Sequence, residues 1–201
     1  MSMTIDPEAL SAPTLYKVLA GLVVPRPIAL ITTMSGSGLV NAAPYSFFNI
    51  LSDKPPVIGV GIAAKPTGEL KDTALHIESR RELVVNLVRF DMVGAVEECA
   101  REVSLDQSEL ELAGLTAAPS VRIATPRLAE APVSFECRLR DTVRLSDRAR
   151  IVMADIVYIH VAQDVLDMER YYVDLKSYDP LGRLFANQYT KVADAIVRAS
   201  R

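Results

Sequence analysis

The segment from Ile28 to Asn41 constrains the fold more than any other part of the chain. Ile28–Met34 is apolar and β-branched, and it ends in Ser35-Gly36-Ser37-Gly38, a run typical of a turn that reverses a strand. The chain returns through Leu39–Asn41. This pattern predicts a β-hairpin.

Apolar runs bounded by turn residues predict further strands along the chain. Strands are predicted at Ile28–Thr33, within Val40–Asn49, and at Val57–Ile62, Leu83–Val88, Val121–Ile123, Val133–Leu145 and Ile151–Val161. Helices are predicted at Pro13–Leu22 after the cap residue Ser11, at Thr73–Ser79, at Asp91–Val103 with Asp91 as cap, and at Leu105–Leu112 and Phe185–Ala199. This order favours one domain over residues 1–201, mainly β with flanking helices, and a barrel over a sandwich.

The two longest predicted strands differ in their pattern. In Val133–Leu145, polar residues alternate with apolar ones, which predicts one wet face made by Ser134, Glu136, Arg138 and Arg140. Ile151–Val161 is apolar on both faces apart from Asp155 and His160. That strand needs cover from the barrel core on one side and from another element or subunit on the other, so a homodimer is expected.

Composition excludes several classes of function. The net charge is −3, the pI is near 5.5, and no Lys/Arg run occurs, so no nucleic-acid partner is expected. The apolar stretch Leu15–Ile31 is interrupted by charges and prolines, and the N-terminus has no basic-then-apolar order. We therefore expect a soluble cytoplasmic protein without a membrane partner.

Cysteine and histidine usage gives no sign of a metal site. Cys99 and Cys137 form no CxxC pair and lie on apolar faces, which predicts buried thiols. His76 and His160 have no metal ligand at a suitable spacing. Neither a nucleophile elbow nor a Walker phosphate loop nor a dinucleotide glycine pattern is present, and no catalytic side chain is predicted.

Two segments predict a binding site for a flat, phosphorylated ligand. Ala42–Asn49 combines small residues, which let a ligand approach the backbone, with packing and hydrogen-bonding groups; these are Pro44, Tyr45, Ser46, Phe47, Phe48 and Asn49. Lys71 and Thr73 stand where a helix is predicted to begin, an arrangement that binds phosphate. A simple Thr cap with a solvated Lys is the alternative for Lys71 and Thr73, and a surface Arg on an edge is the alternative for Arg26.

The order and spacing of several short motifs resemble the flavin reductase-like, FMN-binding split-barrel family, in the branch with flavoredoxin and the reductase components of two-component monooxygenases. The resemblance covers most of the chain. Its motifs are Arg26-Pro27-Ile28, Thr32-Thr33, Asn41 to Asn49, Pro55-Pro56, Lys71-Asp72-Thr73, Val85-Asn86-Leu87 and Glu136-Cys137.

This resemblance implies an FMN-binding split β-barrel of Greek-key type. It also implies an oxidoreductase that takes hydride from NADH or NADPH to the flavin and passes electrons to free flavin, oxygen or a partner monooxygenase component. Carried over by resemblance, the residues around FMN are Arg26, Pro27, Thr32, Thr33, Asn41, Ala43, Ser46, Asn49, Lys71, Asp72 and Thr73.

The C-terminal part departs from the family pattern. Arg183-Leu184 is followed by Phe185-Ala186 where the family tends to have two glycines, with Tyr189 nearby. Phe and Ala do not permit the backbone shapes and close approach that glycine does, so the substrate side of the flavin is expected to be narrower or differently shaped. Arg183 and Tyr189 join the candidate cofactor-binding residues, with helix initiation as their alternative role.

Two other functions stay open from the sequence. One is an FMN-binding electron carrier without nicotinamide reductase activity of its own, which the Phe185-Ala186 departure motivates. The other is a structural barrel without a ligand.

Overall fold

A computed structural model describes residues 2–101 and 108–192. The helices are α1 (Ala12–Leu22), α2 (Asp72–Arg80), α3 (Val93–Glu98), α4 (Glu109–Ala113) and α5 (Leu175–Tyr178). The strands are β1 (Arg26–Pro27), β2 (Ala29–Met34), β3 (Val40–Tyr45), β4 (Phe48–Asp53), β5 (Pro56–Ala63), β6 (Glu82–Leu87), β7 (Ala117–Ala118), β8 (Arg127–Leu128), β9 (Val133–Ser146), β10 (Ala149–Val161), β11 (Leu166–Asp167), β12 (Tyr172–Val173), β13 (Leu181–Arg183) and β14 (Tyr189–Lys191).

The main sheet has seven antiparallel strands in the order β3-β2-β6-β9-β10-β5-β4. Its two edge strands, β3 and β4, are joined only by Ser46 and Phe47, so the sheet must curl until its edges meet. The Gly61 amide donates a 2.7 Å hydrogen bond to the Phe47 carbonyl at this junction. The connection from β5 through α2 to β6 passes over β10 and β9, as in a Greek key. The mainly β, split-barrel prediction is confirmed.

Apolar residues fill the interior of the barrel and cover part of its outside. Ala29 and Ile31 of β2 point into the interior, where Ala74 and Ile77 of α2 close one end. Leu30 of β2 and Ile28 just before it belong to a second cluster outside the sheet, together with side chains of α3 and α4. Strand β2 is therefore buried on both faces, which explains its continuous apolar sequence. No helix in the described ranges is long and apolar enough to span a membrane.

Several sequence predictions are confirmed in detail. Strands β2 and β3 form the predicted hairpin, and Gly38 in its turn has a φ of 92°, a conformation that favours glycine. Ser11 caps α1 through the Thr14 amide, at 3.4 Å. Cys99 and Cys137 are buried free thiols, and burial raises the pKa of Cys99 to about 12.

The strand predicted at Val121–Ile123 is wrong. Residues 121–125 form bends because their amides are taken by carboxylates instead of a neighbouring strand. Val121 and Arg122 each donate a 2.7 Å hydrogen bond to Glu136, and Ala124 donates one of 3.0 Å to Glu82.

This loop also covers part of the face of β9 that was predicted to be exposed to water. Arg138 and Arg140 are exposed as expected, but Ser134 and Glu136 are buried. Besides the two loop amides, Glu136 contacts His160 Nε2 of β10 at 2.6 Å, so three partners from two segments replace its water.

Two helix predictions need correction. Asp91 lies within a 3-10 turn, Phe90–Met92, and α3 begins after it without a side-chain cap. A helix does not begin at Phe185, because residues 185–188 form a turn that leads into β14. The predicted helix ends at Val103 and Ala199 and the beginning at Leu105 lie outside the described residues.

Candidate functional site

A polar cleft lies along β3, between the start of α2 and the helices α3 and α4. It has a volume of about 240 Å³. Its lining residues are Asn41, Ala43, Pro44, Tyr45, Lys65, Lys71, Asp72, Thr73, Cys99, Ala100, Arg101 and Glu109. The structure thus brings together the predicted Asn41–Tyr45 and Lys71–Thr73 segments, although about thirty positions of sequence separate them.

A second depression of about 160 Å³ continues this cleft. It shares Pro44, Tyr45 and Ala100 with the first and extends to Ser46 and Arg183. We call the two together the β3 cleft. Its polar end lies at Lys71, and its other end lies at Ser46 and Arg183.

The polar end of the β3 cleft carries positive charge. Lys71 is the N-cap residue of α2, and its Nζ lies 5.6 Å from the centre of the Tyr45 ring. The free amides of the first turn of a helix add partial positive charge. Asp72 does not cancel this charge, because Lys65 holds it in an ion pair of 3.1 Å. Such an end suits an anionic group.

Tyr45 has an orphaned polar atom at the wall of the cleft. Its side chain is 7% exposed, and its hydroxyl has no hydrogen-bond partner among the described residues. Burial raises the pKa of Tyr45 to about 12; the neighbouring Thr73 side chain opposes this rise, and the Asp72 and Glu109 carboxylates add to it. The hydroxyl therefore stays protonated, and a ligand atom in the cleft would satisfy it. Together with the cationic end, it fits a phosphorylated polar ligand.

The loop after β3 faces two sides. Ser46 lines the β3 cleft, whereas Pro27, Phe47 and Asn49 line an apolar groove of about 630 Å³ on the other side of the loop, to which Ser46 and Arg26 also contribute. Phe47 is 48% exposed there. The predicted ring-binding residues are thus divided between two neighbouring depressions.

Arg26 is buried, and the protein itself satisfies its guanidinium. The side chain donates to the carbonyls of Ala20, Val23 (2.8 Å) and Leu184 (3.0 Å), and to Ser46 Oγ at 3.3 Å. Two of these carbonyls belong to the C-terminal end of α1, where a cation also interacts favourably with the helix dipole. Arg26 is thus a clamp that ties α1 and the chain after β13 to the Ser46 loop, rather than a surface residue.

Thr32 and Thr33 lie on β2 and do not line the β3 cleft. Thr32 Oγ1 donates to the Pro126 carbonyl at 2.6 Å and accepts from Asn86 Nδ2 at 3.2 Å. Thr33 Oγ1 lies 3.1 Å from His76 Nδ1, and burial lowers the pKa of His76. Both hydroxyls are used within the protein, and their contact with a cofactor stays a prediction.

Arg183 and Tyr189 form one unit at the Ser46 end of the cleft. The Arg183 guanidinium stacks on the Tyr189 ring at 4.5 Å and also bonds the Tyr189 hydroxyl and the Ala186 carbonyl. Ala186 has a φ of 52°, in the left-handed region. A glycine there would be unstrained, which gives a physical reason why this position favours glycine.

Several lining residues were not predicted from the sequence, among them Tyr16, Arg101 and Glu109, and Cys99 was assigned only to the core. Glu109 is 8% exposed and accepts a 3.2 Å hydrogen bond from the Ala42 amide. The local sequence around Glu109 predicts only an amphipathic helix. Its role depends on how α4 packs against β3, which no sequence pattern of this chain encodes.

Comparisons with known proteins agree with this geometry. A curled antiparallel sheet with a cationic cleft at a helix start beside its edge strand defines a split-barrel protein whose cleft suits an anionic ligand. Residues 21–182 match the family model described as "Flavin reductase like domain". The chain belongs to this flavin-binding family, and the predicted family membership is confirmed.

Relatives match over nearly the whole chain. An uncharacterised protein of Halalkalibacterium halodurans is 36% identical over 96% of this chain and 93% of its own length. The structure of nitrilotriacetate monooxygenase component B from Bacillus cereus superposes with a TM-score of 0.93 and 31% identity, covering 98% of this chain and 99% of that one. The structure of 2-nitrobenzoate 2-nitroreductase from Pseudomonas fluorescens gives 0.90 and 31%, covering 99% and 96%.

The Arg26 clamp predicts a stability effect that does not depend on any ligand. Arg26→Ala leaves three backbone carbonyls without their donor, so we expect the free energy of unfolding to fall by about 3 kcal/mol. Urea unfolding of the flavin-free protein measures it. Arg170→Ala, which truncates an exposed arginine, should change the free energy by less than about 0.5 kcal/mol. Equal effects of the two substitutions would contradict the clamp.

Proposed function

We propose that this protein is a flavin reductase-type oxidoreductase that binds FMN in the β3 cleft and accepts electrons from NADH or NADPH. The observation that carries the proposal is the cationic end of the cleft beside the orphaned Tyr45 hydroxyl, in a chain of the flavin reductase-like family. Membership of an oxidoreductase family supports the enzymatic reading.

The residues present fit FMN. Lys71, the first turn of α2 and Thr73 would hold the phosphate, and Asn41 and Asp72 offer polar groups to the ribityl chain. Pro44, Tyr45 and Ser46 would lie along the ring, with Arg183 beyond them. When bound, FMN supplies reversible hydride acceptance, chemistry that no side chain of this protein provides. The protein's own residues bind, orient and shield the reacting ring.

The electron acceptor follows from the relatives only as a proposal. Similarity to a component B of nitrilotriacetate monooxygenase supports a partner monooxygenase component. The equal identity to 2-nitrobenzoate 2-nitroreductase supports a nitroaromatic acid as a further electron acceptor to test, besides free flavin and oxygen. Two free buried thiols are consistent with the cytoplasm, where we place the protein.

A homodimer completes the proposal. The groove beside the Ser46 loop is lined by apolar side chains of α1, β4, β9 and β10, among them Leu19, Leu51, Leu145 and Ile151. Leu51 is 54% exposed and Leu145 is 61% exposed. A continuous apolar surface of this kind marks an interface, and the apolar sequence of β10 calls for cover on this side. A second copy of this chain would cover the groove next to the ring end of the site.

One observation favours the electron carrier as second candidate. Phe185, where the family tends to have glycine, is 39% exposed, follows Arg183 by two positions and has its ring against Gly21 of α1. A bulky ring there would restrict access of a nicotinamide to the flavin, which would leave a protein that holds FMN but exchanges electrons only with protein partners.

Anaerobic titration of the FMN-loaded protein distinguishes these functions. Reductase activity predicts that NADH or NADPH bleaches the visible absorption of oxidised flavin within the mixing time of a manual experiment, and the faster donor is the physiological type. Flavin that stays oxidised with both donors supports the carrier. Failure of the protein to retain any flavin would contradict both.

Substitution of Lys71 tests the position of the phosphate. Lys71→Ala removes a cation from the polar end, so the Kd for FMN should rise by about tenfold, whereas the Kd for riboflavin, which lacks phosphate, should change by less than about twofold. Flavin fluorescence quenching measures both constants. Lys54→Ala, which removes an exposed lysine outside the cleft, is the matched control. Equal weakening of FMN and riboflavin would argue against a phosphate at Lys71.

Substitution of Leu51 tests the homodimer. Leu51→Glu places a charge in the apolar groove, so the dimer dissociation constant should rise by about 100-fold or more. Light scattering after size exclusion, over a dilution series, reads the mass. Leu112→Glu changes an exposed leucine outside the groove and should leave the dimer intact. A monomeric wild-type protein at high concentration would refute the proposal.

A further inference from the structure

Glu109 is a buried carboxyl group in the wall of the β3 cleft. Its Oε2 accepts from the Ala42 amide at 3.2 Å, and its Oε1 lies 3.1 Å from the Asn41 side-chain amide. No cation pairs with it among the described residues, since Lys65 pairs with Asp72 and Arg101 with Glu98. Burial raises the pKa of Glu109, and the Asp72 carboxylate acts in the same direction.

The surroundings of Glu109 supply charges of both signs. The groups that face this part of the cleft are Tyr45 from β3, Lys65 before α2, Lys71 and Asp72 at the start of α2, and Cys99 and Arg101 after α3. The Cys99 thiol and the Tyr45 hydroxyl both have raised pKa values of about 12 and stay neutral. The ionised and protonated forms of Glu109 therefore differ by one full negative charge inside the cleft.

The protonation state of Glu109 decides which way the Asn41 amide points. The amide stands between Glu109 Oε1 and Thr73 Oγ1, 3.2 Å from the latter. An ionised Glu109 only accepts, so Asn41 must turn its NH2 toward Glu109 and its oxygen toward Thr73. The Thr73 hydroxyl then donates its single proton to the Asn41 oxygen.

A protonated Glu109 reverses this chain of hydrogen bonds. Its O–H donates to the Asn41 oxygen, and the Asn41 NH2 turns to donate to Thr73 Oγ1. The hydroxyl proton of Thr73 is then free to donate to an anion at the start of α2. Protonation therefore removes a negative charge and supplies a donor at the same place.

We propose that Glu109 is a positioning residue that couples binding of the phosphate group of a flavin to the uptake of one proton. The inference rests on the proposed function, because it assumes that the phosphate lies at Lys71 and Thr73. The phosphate dianion raises the pKa of Glu109 further in the complex by charge repulsion. Because the pKa is higher in the complex than in the free protein, binding is strongest at low pH. It weakens as the pH rises toward the pKa of the complex.

The wild-type protein gives the first test. The Kd for FMN is measured from about pH 4.5 to 8.5, with Glu109→Gln measured alongside to subtract the titration of the phosphate itself. One linked proton predicts weakening of up to about tenfold per pH unit between the pKa of Glu109 in the free protein and its pKa in the complex. Riboflavin should show less than about twofold change. Calorimetric titration at the pH where the Kd for FMN changes most steeply, in two buffers of different ionisation enthalpy, should count up to one proton taken up with FMN and none with riboflavin.

Glu109→Gln separates this role from a merely structural one. Glutamine keeps an acceptor for the Ala42 amide and cannot ionise, so it imitates the protonated state. We expect FMN binding that follows only the titration of the phosphate, no proton uptake, and a Kd near pH 8.5 lower than that of the wild-type protein. Glu111→Gln, an exposed position on the same helix, should behave as wild type. A structural role alone would weaken FMN binding of Glu109→Gln equally at every pH.

The outcomes remain distinct from those of the proposed function. Tight FMN binding by the wild-type protein with no weakening as the pH rises and no proton uptake overturns the inference and leaves the flavin site intact. Absence of FMN binding at every pH overturns the proposed function itself. The wild-type proton count decides the matter even if Glu109→Gln does not fold.

Discussion

The meeting of β3 and β4 is the constraint on which the rest of the structure depends. Only Ser46 and Phe47 join these edge strands, and the 2.7 Å bond from Gly61 to Phe47 fixes the junction. Edges of a sheet that meet leave few unpaired backbone groups exposed. The junction also decides where side chains point, because residues before it line the β3 cleft and residues after it line the apolar groove. The candidate cofactor cleft and the candidate subunit interface thus share one short loop.

Electrostatics in the β3 cleft arise from incomplete pairing. Lys65 neutralises Asp72, while Lys71 lies against the Tyr45 ring and has no carboxylate partner among the described residues. Glu109 is the opposite case, a buried carboxyl group held by neutral donors. Positive charge without a counterion and a carboxyl group without a cation are both costly in isolation. They make physical sense together if an anion enters the cleft and Glu109 loses its charge.

The sequence predicted the parts that local chemistry determines. The glycine-bearing turn correctly predicted the β2–β3 hairpin, Ser11 predicted the start of α1, and Lys71 to Thr73 predicted the start of α2. The prediction failed where a distant carboxylate replaced a strand partner, as Glu136 does for Val121 and Arg122. It also failed at Phe185, where the left-handed backbone of Ala186 ends any helix before it begins.

In the candidate site, too, local chemistry was predictable from the sequence and contacts between distant segments were not. The sequence identifies a group that can form hydrogen bonds, but the fold determines its partner. Thr32 and Arg26 donate to backbone carbonyls, whereas the Tyr45 hydroxyl has no hydrogen-bond partner among the described residues. The site role of Glu109 was not predicted for a related reason, because a glutamate on a short amphipathic helix is ordinarily solvated. Only the packing of α4 on β3 brings it to the Asn41 amide, where one proton can decide what Thr73 offers to a ligand.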